Sequence, residues 1–122
     1  MRFIQETGFS VRVGHQEACQ RWLAANEGRI ARSYPEGTEY LGTYVTVFTS
    51  EKTAGAYRVL ERLGSYADID KLAAMQKDDT TEYAKVWREF TKFMDPDPHA
   101  DWSLVLLKGA TDATTWDFEP AG

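Results

Sequence analysis

Near the C-terminal end, Asp95-Pro96-Asp97-Pro98-His99-Ala100-Asp101 gathers carboxylates and an imidazole, the donor types that a divalent cation takes. A calcium loop needs a defined series of oxygen ligands around a turn glycine. That glycine is absent here, and the two prolines stiffen the segment. We read it as a solvated helix-to-strand connection and expect no metal. His15 stands between Arg12 and Glu17, where an imidazole could act as a general base or a metal ligand; the plainer reading is the start of a surface helix. The chain has two histidines, so a site built on several is excluded. Cys19 is the single cysteine, which removes an internal disulfide and a cysteine-based zinc site, and its helical spacing suits a small buried filler. There is no phosphate-cradling glycine run, no nucleophile elbow and no paired-histidine zinc helix. Ser65 has no histidine close by in sequence and reads as a helix cap. No catalytic residue is assigned and no cofactor is expected.

Charges inside strands carry more information. Along 57–63, Glu61 shares a face with Tyr57, Val59 and Leu63, whereas Arg58 and Arg62 share the other. Glu6 and Arg12 fall together on one face of the first strand. A strand covered on both sides has nowhere to solvate such groups cheaply. Simple alternation puts Tyr40, Tyr44 and Phe48 on one side of the second strand. Polar anchors among aromatic walls are the usual composition of a small-molecule pocket. The candidate ligand-binding set is therefore Tyr40, Tyr44, Phe48, Arg58, Glu61 and Arg12. The competing reading is a set of structural ion pairs or exposed edge residues.

The elements that must position these residues follow from hydrophobic period. Phe3, Thr7, Phe9, Val11 and Val13 alternate with polar residues, which predicts a strand from 3 to 13. From His15 to Tyr34, Ala18, Cys19, Trp22, Leu23, Ile30 and Tyr34 recur at helical spacing, and Pro35-Glu36-Gly37 ends the run. Residues 38–50 are rich in Tyr, Thr, Val and Phe, and a turn ending at Gly55 leads into a third strand over 56–63, a β-hairpin. A short helix is predicted over 66–76. Thr80 or Thr81 then caps another, whose Tyr83, Val86, Trp87, Phe90, Phe93 and Met94 form an aromatic stripe read as core. Residues 102–108 supply the last strand. The order is α+β: a ferredoxin-like βαββαβ pattern with an antiparallel four-stranded sheet.

The chain's 122 residues suit one domain, placed at 1–110, followed by a tail at 111–122. With 43% apolar residues and abundant aromatics, a packed globule is expected. The net charge of −5 and the scattered basic residues argue against a nucleic-acid surface. No apolar run reaches the ~20 residues that span a bilayer, and no signal peptide is evident, so the expectation is a cytoplasmic protein without a membrane partner.

One layer of helices covers only one face of such a sheet, yet both faces of the second strand are apolar. A homodimer joined sheet to sheet is the simplest cover. Three stretches carry a family resemblance: Leu41-Gly42-Thr43-Tyr44, Tyr57-Arg58-Val59-Leu60-Glu61-Arg62, and Tyr66-Ala67-Asp68-Ile69-Asp70-Lys71-Leu72. The arrangement resembles the dimeric α+β barrel superfamily, and 42–75 most resembles its NIPSNAP-like branch. The resemblance implies a dimer whose barrel interior or edge clefts hold small molecules. It implies no single activity, since members include haem-degrading and quinone-forming monooxygenases and proteins of no known reaction. Neither His15 nor His99 matches the haem-binding histidine of that superfamily. The leading expectation is a small-molecule-binding dimeric barrel protein. The alternatives are a cofactor-independent monooxygenase acting on an aromatic or quinol substrate, and a purely structural or partner-binding module.

Overall fold

The computed structural model describes residues 3–50, 55–97 and 102–111. The elements run β1 (Phe3–Phe9), α1 (Gln16–Ser33), β2 (Thr38–Val45), β3 (Tyr57–Leu63), α2 (Ala67–Lys77), α3 (Glu82–Thr91) and β4 (Ser103–Lys108). Four antiparallel strands lie in the order β2-β3-β1-β4, the α+β arrangement expected from the hydrophobic periods. The first strand ends at Phe9 rather than at 13. Val11 makes only an isolated bridge to Met94, and Val13 is exposed. The acidic segment at 95–101 and the hairpin turn are described only in part, and the tail lies outside the described residues from 112 onward.

Alternation in β3 places Tyr57, Val59, Glu61 and Leu63 under the helices, all buried, while Arg58, Leu60 and Arg62 face the other way. The core forms there: Phe9, Tyr57 and Val59 of the sheet meet Cys19, Leu23 and Ile30 of α1 and Val86 and Phe90 of α3. Phe90 is fully buried, edge-on to Phe9 and parallel to Trp87 at 5.3 Å between ring centroids. Burial pushes the Cys19 thiol up to about 11, so it stays protonated and fills space as expected. At the start of α3, Thr81 Oγ1 accepts from the Ala84 amide, a side-chain cap. Ser65 is not a cap: Tyr66 holds the N-cap position of α2 and makes no side-chain cap, and the Asp68 carboxylate instead accepts from the Gly64 and Ser65 amides.

The shared face assigned to Tyr40, Tyr44 and Phe48 is overturned. A β-bulge at Leu41 shifts the register between Tyr40, opposite Glu61, and Gly42, opposite Leu60. One extra residue reverses every side chain beyond it. Tyr40 therefore points under the helices and is buried, while Tyr44 emerges on the opposite face beside Arg58. Gly42 takes φ of +138°, which L side chains rarely adopt, and the Tyr44 ring packs within 3.1 Å of where a Cβ would stand. Glu27 of α1 braces the bulge, its Oε1 accepting from the Tyr40 hydroxyl at 3.0 Å and from the Thr43 amide at 3.3 Å. Phe48 lies beyond the end of β2 and is exposed.

Helices pack over β2, β3 and β1 but leave β4 bare. All six β4 residues are exposed, with Leu104 at 67% and Leu107 at 46%.

Candidate functional site

The sheet divides five of the six sequence-predicted ligand residues between two surfaces. Arg58, Tyr44 and Phe48 gather on the open face with Glu6, Thr46 and Thr49 around a shallow cleft of about 420 Å³. There the Arg58 guanidinium donates to Glu6 at 3.4 Å and to the Thr46 hydroxyl at 3.2 Å. Next to it, Arg62 pairs with Glu39, and the strand register adds Ile4, Leu60, Val105 and Leu107 to the same side. Tyr40 and Glu61 lie on the helix-covered face. Arg12 belongs to neither group: its Nε donates to the Met94 carbonyl at 3.1 Å and ties the segment after β1 to the end of α3.

On the helix-covered side a smaller cavity, about 150 Å³, opens between the sheet and α3. The sheet contributes Gln5, Thr7 and Glu61, and α3 contributes Tyr83, Trp87 and Thr91. Gln76 of α2 and Trp102, just ahead of β4, stand at its sides. Glu61 is 4% exposed, the single buried charged residue among those described. Its Oε1 accepts from Gln5 Nε2 at 3.1 Å and its Oε2 from the Tyr34 hydroxyl at 2.5 Å. Burial pushes the Glu61 carboxyl above the usual carboxylate range, and the Tyr34 and Gln5 hydrogen bonds pull it partly back. Burial and the neighbouring Glu61 together raise the Tyr34 hydroxyl, which stays protonated as the donor. The Tyr34 ring meets Tyr83 edge-on at 5.2 Å.

Beside this carboxyl the Trp87 indole lies parallel to Phe90, and its Nε1, buried, has no hydrogen-bond partner among the described residues. The arrangement can therefore supply a hydrogen-bonded carboxyl and aromatic walls. No group of three or more His, Cys, Asp or Glu that could hold a metal occurs among the described residues. His15 is exposed at the start of α1 and offers no side-chain cap.

The chain matches no protein-family model and no curated protein. Solved structures do match. An Agrobacterium tumefaciens NIPSNAP family protein superposes with a TM-score of 0.64 at 11% identity, over 96% of this chain and 100% of that one. The fold is that of NIPSNAP family proteins. An uncharacterised NIPSNAP-like domain protein from Burkholderia xenovorans gives 0.61 at 10% identity, over 93% and 90% of the two chains. A candidate antibiotic biosynthesis monooxygenase from Caulobacter crescentus gives 0.52 at 16% identity, over 87% of each.

The sequence reading names Glu61 among the candidate residues and does not name those that surround it. Gln5 is a polar residue at an odd position of β1, among Phe3, Thr7 and Phe9 on the helix-covered face, and that irregularity was the available signal. Tyr34 and Trp87 were absorbed into apolar helix stripes, and nothing in their spacing announces a partner or the lack of one.

Proposed function

We propose that the protein binds a small organic molecule in the cavity between the sheet and α3, and that it works as a homodimer joined through the open face of the sheet. The observation that carries the binding reading is the Gln5–Glu61–Tyr34 network at the wall of an aromatic cavity. Burying a carboxyl without a counter-charge costs stability, and polar groups converging on an apolar pocket are the usual form of a ligand site. Support for the dimer comes from Ile4, Leu60, Val105 and Leu107, apolar residues of the open face that share it with the Glu6–Arg58 and Glu39–Arg62 pairs, Glu6 standing between Leu60 and Val105. A second copy related by a two-fold axis would cover this strip and close the 420 Å³ cleft. No described helix is long and apolar enough to cross a membrane, and we infer a cytoplasmic setting from the composition.

Nuclear magnetic resonance screening of small organic compounds tests the binding reading. We expect hits that move the Trp87 indole resonance and are lost in Glu61→Leu; hits confined to Tyr44 and Arg58 would transfer the site to the open face. Sedimentation at micromolar concentration should give a dimer, and a stable monomer would remove that half of the proposal. A second reading, a cofactor-independent monooxygenase acting on an aromatic or quinol substrate, draws on the likeness to the Caulobacter protein. Oxygen consumption with a quinol panel, abolished in Glu61→Leu, would favour it.

A further inference from the structure

The charge of the α3 cavity restricts what it can hold more sharply than its size does. Its volume of about 150 Å³ suits a molecule of roughly one benzene ring. The lining carries one carboxyl, Glu61, and no lysine, arginine or histidine to balance it. Arg88, the one arginine of α3, lines an adjoining cleft and is paired with Asp79, and Arg62, next to Glu61 along β3, points to the opposite face and pairs with Glu39.

Every element packed around Glu61 presents it with an uncharged group. Gln5 of β1 and Tyr34 at the end of α1 donate to its two oxygens, Tyr40 of β2 stands opposite it in the strand register, and Gln76 of α2 and Tyr83 of α3 line the same cavity. Burial raises the Tyr34, Tyr40 and Tyr83 hydroxyls, which therefore stay protonated. An anionic ligand would enter beside a carboxyl with no counter-charge, whereas a cationic ligand would supply the charge that the protein withholds. The aromatic walls act in the same direction. Tyr83, Trp87 and Trp102 line the cavity, and the faces of such rings attract cations.

We propose that the cavity selects a small organic ammonium ion, with Glu61 as its counter-charge and Tyr83, Trp87 and Trp102 as its aromatic wall, an inference that rests on the small-molecule reading of this site. Such binding is linked to a proton. Burial holds the Glu61 carboxyl above the usual carboxylate range, and an ammonium ligand favours its ionised form. Below the pH at which that carboxyl titrates, the ligand must displace a proton, so its affinity falls as pH falls.

Three probes of similar size and different charge test the inference on the full chain: benzylammonium, benzyl alcohol and benzoate. Nitrogen-15 spectra follow the Gln5 side-chain amide and the Thr7 backbone amide during each titration. Benzylammonium should bind at least tenfold tighter than benzyl alcohol, and benzoate most weakly. On acidification the affinity for benzylammonium should drop by up to tenfold per pH unit while that for benzyl alcohol holds. Glu61→Gln keeps the side chain's shape and removes its charge, and should weaken benzylammonium at least tenfold, abolish the pH dependence and leave benzyl alcohol unchanged. The comparison of probes on the unaltered chain stands whether or not that variant folds. Equal binding of the three, or benzoate as the tightest, would overturn the charge selection while leaving a small-molecule site intact. If none of the three shifts Gln5 or Thr7, the ammonium inference falls, and the wider compound screen decides the small-molecule reading separately.

Discussion

The two faces of one sheet solve the same problem in opposite ways. Under the helices, Glu61 is buried, desolvated and held by neutral donors, Gln5 and Tyr34. On the open face, Glu6 and Glu39 are partly solvated and each meets an arginine. The first arrangement is costly and specific; the second is cheap and adjustable. The contrast teaches that chemistry should be sought where a polar group is buried without a counter-charge, and association where partly solvated ion pairs share an open face with apolar side chains.

Truncation sharpens the contrast most. Phe90→Ala, beneath the helices, should cost about 3–5 kcal/mol of unfolding free energy by denaturant titration. Leu60→Ala, half-buried on the open face, should cost far less in the isolated chain and act chiefly on dimerisation. Next comes the bulge that separates the faces: Glu27→Ala removes the acceptor of Tyr40 and of the Thr43 amide and should cost about 1–3 kcal/mol.

The pH dependence separates the faces further. Because the folded Glu61 carboxyl titrates above its unfolded value, the folded state binds the additional proton between the two, and stability rises as pH falls through that window. Relative to Glu61→Gln, the native chain should gain stability on acidification from neutral pH toward the ordinary glutamate range, at up to about 1.4 kcal/mol per pH unit. A flat difference would mean that Glu61 is not desolvated. The smallest effect is expected from Arg62→Ala, whose pair with half-exposed Glu39 should contribute under about 1 kcal/mol in the same titrations.

The element order and the face that Glu61 shares with Tyr57, Val59 and Leu63 were legible because period-two alternation in β3 is uninterrupted from Tyr57 to Leu63. The partition of Tyr40 from Tyr44 was not. It depends on one bulged residue, Leu41, stabilised by Glu27 from a different element, and alternation alone assumes that no such residue exists. The cavity was illegible for a related reason. Gln5 and Glu61 are 56 positions apart and meet only through the register of β1 on β3, while the unmet donor of Trp87 is a property of its surroundings.

Neighbouring positions of β1 offer the most direct test of where a ligand sits. Thr7 lines the α3 cavity and Glu6 lines the open-face cleft, one residue away and on the opposite side. Binding of the small organic compounds found by screening should be abolished in Thr7→Leu, which fills the cavity, and preserved in Glu6→Gln. Binding that survives Thr7→Leu and disappears in Glu6→Gln would contradict the account.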